Sequence, residues 1–310
     1  MPDYHGSVIL TYHSVNHPSQ PFIYPDNIVS VENFRAQMAY LSSQRTILSL
    51  EELVWCLKDE QEPPSDSVVI TFDDAYHDFY LNAYPILREL GASCTLFLIT
   101  GLLGDGTPKW DDWIAQLVNE TEARSLNIRL GDREITYPLG SAVNKRRCIV
   151  ELVRTFHGLT EVELLPAIAR VEDALRHGRD MTSQRVSLRW SEVLNISKET
   201  QLVSFGAHTR THPNLLDVCV ERADEEIASS KREIEQALGR QCSFFSYPYG
   251  VFDERIKELV RRHGFLAATT TIPGSISPGT DPFELRRVCA PNQALDDFIS
   301  LLAKFDRGSY

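Results

Sequence analysis

Val68-Val69-Ile70-Thr71-Phe72, followed at once by Asp73-Asp74, is the stretch that decides the fold. The run lacks polar alternation, as expected of a strand covered on both faces in a parallel sheet. Outward from it, similar β-branched runs recur at residues 7–12, 93–99, 202–205 and 265–270, mostly separated by segments of helical periodicity. That alternation reads as α/β. Residues 76–90 close on Gly91, and residues 221–238 place Ala223, Ile227, Ile234 and Leu238 on one face before Gly239, so both glycines fit the helix stop signal. A barrel and an open doubly wound sheet both satisfy the pattern. In either, functional groups lie at the carboxyl ends of strands, which directs attention to the residues just after each apolar run.

The chain has 310 residues, 43% hydrophobic and 24% charged, a composition that excludes collagen, coiled coil and wholesale disorder and suits a single domain over 1–310. No apolar stretch reaches the roughly 18 residues needed to cross a bilayer, and residues 1–6 carry no basic leader, so a cytoplasmic protein is expected. A net charge of −12 argues against a nucleic-acid partner. The six cysteines include no CxxC pair and are expected to be reduced, mostly buried thiols. Across 104–184 the strand signal disappears and helical patterns cover 110–119, 143–157 and 161–177, which reads as a helical insertion on the α/β core.

Four strand-end sites carry residues with chemistry. Asp73 and Asp74 follow the apolar run, where one could equally cap the next helix. His208 and His212 follow residues 202–205, and Pro213 disfavours helical geometry at His212, so the pair belongs to a loop. Two imidazoles and one carboxylate leave an open position on a tetrahedral ion, the arrangement that metal-assisted hydrolysis requires. Tyr247-Pro248-Tyr249-Gly250 forms a stiff turn, and Tyr12-His13 ends the first strand, where a structural histidine is the plain alternative.

Taken together, Thr71-Phe72-Asp73-Asp74, His208-Thr209-Arg210-Thr211-His212 and Tyr247-Pro248-Tyr249-Gly250 resemble, in order, the three motifs of the polysaccharide deacetylase (NodB-homology) family, carbohydrate esterase family 4. The resemblance covers residues 7–100 and 187–292, outside the insertion. It implies a distorted (β/α) barrel of the NodB-homology type holding one divalent metal, Zn²⁺ first, with Co²⁺, Ni²⁺ or Mn²⁺ as alternatives. It further implies Asp73 as base, Asp74, His208 and His212 as metal ligands, and removal of N-acetyl groups from an amino-sugar polymer, oligomer or conjugate.

Two departures from the family pattern matter. Ser246 stands where the family has an arginine that orients the base, and the usual late histidine is absent, the last one being His263 in a helix. Tyr12-His13-Ser14-Val15 resembles a branch of the family that includes poly-N-acetylglucosamine deacetylases, and barrel closure would bring strand one beside the final strand, which makes His13 the expected general acid. Leu285-Arg286-Arg287-Val288 looks like a late segment of exopolysaccharide-cluster deacetylases, able to steady Asp73 or, through Arg286, to contact substrate. Tyr249, Pro248 and Trp110 complete the expected substrate contacts. The competing readings are a carbohydrate-binding pseudoenzyme and an amidase acting on a small or nucleotide- or lipid-linked N-acyl substrate.

Overall fold

In the computed structural model, which describes residues 6–64, 66–104, 108–130, 133–176 and 185–306, the central apolar run is a strand buried at every position. Strand β1 (Ser7–Tyr12) is followed by the short β2 (Ser14–Val15), which pairs with β3 (Ile28–Val29) in a separate ribbon. Then come β4 (Thr46–Leu48), β5 (Ser67–Phe72), β6 (Cys94–Leu98), β7 (Ser125–Leu130) and β8 (Arg133–Pro138). The last strands are β9 (Val203–Ala207), β10 (Phe244–Ser246), β11 (Ala267–Thr269), β12 (Ser275–Ile276) and β13 (Val288–Cys289).

Nine strands form one sheet in the order β11-β10-β9-β6-β5-β1-β12, with β4 beside β5 and β13 beside β1. Every pairing in it is parallel except that of β12 with β1. The two sides of the sheet are bridged by one short segment. Leu285 pairs with Thr269 of β11, while Val288 and Cys289 pair with Leu10 and Thr11 of β1. The sheet therefore curls into a distorted barrel with helices around it, and the open doubly wound alternative is set aside.

Strand parity then decides what faces the barrel interior. Val68, Ile70 and Phe72 of β5 join the large cluster shared with outer helices, whereas Val69 joins Ile9, Phe97, Phe244, Ala267 and Leu285 in a second cluster. Leu50, Leu53, Val54 and Leu57 of the helix Leu50–Lys58 seal that inner cluster from below. Continuing the alternation sends Thr71 and Asp73 inward, above this apolar floor.

Both predicted helix stops are left-handed glycines, Gly91 (φ 64°) and Gly239 (φ 65°). Residues 76–90 are not one regular helix: a π-helical turn, Phe79–Ala83, leads into the helix Tyr84–Leu90, which carries a proline in its first turn. The insertion also differs from the expectation of helices alone. Its helices Trp110–Glu120, Ala142–Phe156 and Glu161–Arg176 are accompanied by the antiparallel hairpin β7–β8. Buried Leu126 and Ile128 alternate with exposed Asn127 and Arg129, so this ribbon covers one face only and never shows the continuous apolar run that marks the main-sheet strands. Hairpin and helices share a core of their own, including Leu117, Leu126, Leu152, Phe156 and Val171.

All six cysteines are free; Cys94, Cys148 and Cys242 are buried, while Cys219 and Cys289 are exposed, contrary to the expectation of mostly buried thiols. Among the described residues no helix is long and apolar enough to cross a membrane.

Candidate active site and metal centre

Asp73 leaves β5 pointing inward and meets a guanidinium. Arg287 Nη1 donates to Asp73 Oδ1 at 2.8 Å and Arg287 Nη2 to Asp73 Oδ2 at 2.6 Å, a two-pronged ion pair between side chains that are essentially inaccessible. The same guanidinium donates to Thr71 Oγ1 (3.2 Å), to Ser246 Oγ (3.0 Å) and, through Nε, to the Thr270 carbonyl (2.8 Å). Burial alone would raise the Asp73 carboxyl, but Arg287, with His208, overrides it and holds the group at about 2. The missing motif arginine is thus supplied from the bridging segment, and Ser246 both leaves room for it and hydrogen-bonds to it. Of the two adjacent arginines, Arg287 faces the site. Arg286, expected to touch substrate, is exposed and lies over Gly274 instead, because consecutive residues of an extended segment point to opposite sides.

His208 and His212 occupy the loop after β9, not a helix. Thr209 and His212 both have φ of 62°, and the buried Glu226 of the helix Val220–Leu238 accepts from the Arg210 and Thr211 N–H groups and from Thr211 Oγ1. With Asp74 (φ 69°) and Tyr249 (φ 59°), non-glycine residues in left-handed backbone concentrate at this end of the barrel. Such strain persists where surrounding structure over-determines it, typically at functional sites. His208 Nδ1 donates to the Ser246 carbonyl at 2.7 Å, which fixes the tautomer and leaves Nε2 with a free lone pair. His208 Nε2 lies 3.2 Å from His212 Nε2, and the two lie 3.6 and 3.7 Å from Asp74 Oδ1.

Asp74 Oδ1 is buried without a hydrogen-bond partner among the described residues, and three ligand atoms, one each from Asp74, His208 and His212, lie within 4.8 Å of one another. An orphaned carboxylate oxygen facing two imidazole nitrogens is a donor set suited to a divalent transition metal. Burial, together with the neighbouring His208, drives His212 far below the usual imidazole range, so it is neutral, the form that ligates. The second oxygen of Asp74, Oδ2, accepts from Lys109 at 2.7 Å. Lys109 belongs to the insertion, and no sequence motif singled it out.

The other predicted residues fall around this centre. His13 sits between β1 and β2; burial lowers its pKa, with Asp74 and Asp73 opposing that shift, and it lines a cavity of about 490 Å³ shared with Asn27, Arg146 and Asn292. On the opposite flank a cavity of about 550 Å³ is lined by Lys109, Trp110, His157, His212 and Tyr249 together with leucines of the insertion. Trp110 Nε1 donates to Tyr249 Oη at 3.0 Å, so this tryptophan is a fixed wall and not a free stacking platform. Trp113 packs against the insertion core. Pro248 is buried inside the turn and presents Tyr249 without lining the cavity. In that turn Gly250 (φ 71°) could carry no side chain, since a Cβ would lie 2.3 Å from the Thr271 nitrogen. His263, as expected, is remote from the site; it ends the helix Glu254–Arg262 and pairs with Asp224.

A curled α/β barrel, with an ionised carboxylate beside a two-histidine, one-carboxylate cluster at its carboxyl end, defines a metal-assisted hydrolase. Comparison with known proteins gives the class its name. The polysaccharide deacetylase family profile matches residues 60–129 and 176–268, more than half of the sequence, and the chain belongs to that family, whose members are metal-dependent hydrolases of N-acetyl amides in carbohydrate. The chain is 22% identical over 281 residues, 90% of its length and 70% of the other protein, to YxkH of Bacillus subtilis, which is provisionally named for the same family. A 78-residue stretch, 25% of this chain and 27% of the relative, is 38% identical to the poly-β-1,6-N-acetyl-D-glucosamine N-deacetylase of Staphylococcus aureus.

Two solved structures share the fold at 19% identity and a TM-score of 0.63. The Streptococcus pyogenes deacetylase PplD, in complex with acetate, aligns over 96% of this chain and 97% of its own. IcaB from Ammonifex degensii aligns over 98% and 97%.

Proposed function

We propose that this polysaccharide deacetylase acts on N-acetylglucosamine residues of a β-1,6-linked polymer, with Asp74, His208 and His212 holding Zn²⁺ and with Asp73 and His13 moving the protons. The observation that carries the reading is the convergence of three ligand atoms beside an Asp73 that Arg287 keeps ionised. The local identity to the staphylococcal enzyme supports the choice of polymer. When bound, the ion supplies Lewis acidity toward the amide carbonyl and lowers the pKa of an attacking water.

Asp73, ionised throughout the neutral range, accepts the proton of that water, and Arg287 and Ser246 hold it in place meanwhile. The Tyr249 backbone N–H, aimed by its left-handed conformation, steadies the developing oxyanion. An amine leaves poorly until it is protonated, and His13 in its protonated form, which the charges of Asp74 and Asp73 favour against the effect of burial, donates to the amide nitrogen. The cavity beside His13, with its Asn, Asp and Arg side chains, suits the hydroxyls of a sugar ring. The apolar cavity on the Tyr249 side favours a second reading, in which the amino sugar carries an aliphatic group.

Acetate release from a β-1,6-linked N-acetylglucosamine oligomer tests the first reading: turnover is expected, should vanish on chelation, and should return with Zn²⁺. Metal-loaded protein that releases no acetate from this or a chitin oligomer would instead be a binding pseudoenzyme. Asp73→Asn should keep the metal and lose roughly 10² to 10⁴ of the rate. His13→Ala should impair amide hydrolysis far more than that of an activated ester, whose leaving group needs little protonation. Equal losses would make His13 structural.

A further inference from the structure

Lys109 stands just ahead of the helix Trp110–Glu120, at the entrance to the insertion, and its side chain is 8% exposed. Its ammonium lies 2.7 Å from Asp74 Oδ2, 3.1 Å from Asp111 Oδ2 and 5.9 Å from the centre of the Tyr76 ring. A buried ammonium is strongly unfavourable unless it is paired and its donors are satisfied, so this arrangement is specific and not a surface side chain at rest. Tyr76 is held in turn, its hydroxyl donating to Asp112 Oδ2 at 2.8 Å. Lys109 and Asp112 thus tie the insertion to the residues around the end of β5 through buried polar contacts.

The consequence lies in the asymmetry of Asp74. Oδ2 is occupied by Lys109, while Oδ1, buried and without a hydrogen-bond partner among the described residues, faces the two imidazole nitrogens. Terminal carboxylate torsions are broad and two-fold, so an unrestrained Asp74 could rotate and offer either oxygen or both. Asp111 also answers the objection that a cation should repel a metal: its carboxylate neutralises Lys109, which leaves the charge of Asp74 available to an ion.

We propose that Lys109 is a positioning residue of the metal centre, locking Asp74 so that Oδ1 alone is presented to the ion. The insertion then completes the metal site and does more than border it. This rests on Asp74, His208 and His212 being the ligands.

The test compares wild type with Lys109→Met, Lys109→Arg and Asp111→Asn. Zn²⁺ affinity is measured by competition with a chromogenic chelator, the Co²⁺ visible spectrum reports coordination, and circular dichroism verifies folding. Loss of an outer-shell partner typically weakens metal binding by about 10- to 100-fold, and Lys109→Met should fall in that range with an altered Co²⁺ band intensity. Lys109→Arg, which keeps charge and donors, should recover most of the affinity. Asp111→Asn, which leaves the ammonium uncompensated, should also weaken binding, and it provides the reading if Lys109→Met fails to fold. Unchanged or tighter Zn²⁺ binding with an unchanged Co²⁺ spectrum in folded Lys109→Met, or in Asp111→Asn, would overturn the proposal. Wild type that binds no Zn²⁺, or a His208→Ala variant that binds as wild type does, would instead overturn the ligand assignment beneath it.

Discussion

Among the described residues Arg287 is the largest fully buried side chain, and its donor contacts serve one carboxylate and the groups around it. Removing one partner of a buried ion pair strands the other charge, a loss of about 3–5 kcal/mol. Arg287→Met should therefore lower stability by that order in urea denaturation and abolish most acetate release, while Arg286→Met, on the exposed side of the same segment, should change neither. The pair also has an acid signature. Asp73 is held at about 2 in the fold, against an ordinary 3.8, so its contribution is fully present above about pH 4 and is lost as pH falls toward 2. Stability measured from pH 4 to 2 should lose that dependence in Arg287→Met. In the third motif Ser246 reads only as the absence of an arginine; the sequence marks the late segment Leu285-Arg286-Arg287-Val288 as able to steady Asp73 without deciding which of its two arginines does so. The serine hydroxyl adds one hydrogen bond of 3.3 Å to Asp73 Oδ2, and the residue is small enough to admit the guanidinium that clamps both carboxylate oxygens.

At the scale of elements, strands and caps follow local chemistry and were largely legible. The run from Val68 to Phe72 lies within β5, and Gly91 and Gly239 stop their helices. The hairpin of the insertion leaves little trace in the sequence, because its alternation of Leu126 and Ile128 with polar residues is short and flanking helices hide it in a wider window. The connection after β5, whose pattern reads as one helix but which begins with a π-helical turn, holds a second titrating group. Asp78 is buried there and accepts from Ser14 Oγ (2.6 Å), Asn16 Nδ2 (3.1 Å) and the Val15 N–H (3.2 Å), which stitches β2 to this turn. Burial outweighs those bonds and pushes its carboxyl up to about 6. The sign is opposite to that of Asp73: a raised carboxyl favours the protonated fold, so stability falls as pH rises from about 4 to about 6 and is flat above. The full span is worth about 3 kcal/mol. Asp78→Asn, neutral throughout, should flatten the stability profile between pH 4 and 6, and a slope equal to that of wild type would assign the titration to another group.

At the scale of the whole molecule, polar contacts join the insertion to the barrel. The insertion has its own core, separate from the clusters of the barrel, and Lys109 and Trp110 join it to Asp74 and Tyr249. Leu152→Ala, a truncation at a fully buried position of that core, should cost about 2–5 kcal/mol there. Deacetylase activity and metal affinity should then fail on heating before the far-ultraviolet signal of the barrel is lost. Coincident transitions would make insertion and barrel one cooperative unit. The amino-acid sequence by itself determined the α/β alternation, the strand-end placement of Asp73, Asp74, His208 and His212, and the turn that presents Tyr249. Each is a local matter, set by periodicity, by caps or by spacings of a few residues. Only the tertiary structure decided which arginine holds Asp73, 214 residues away, and which lysine holds Asp74, 35 residues away. Those partners depend on the curl of the sheet and on which face each strand turns inward, and a linear pattern carries no record of which distant segments a closed sheet brings together.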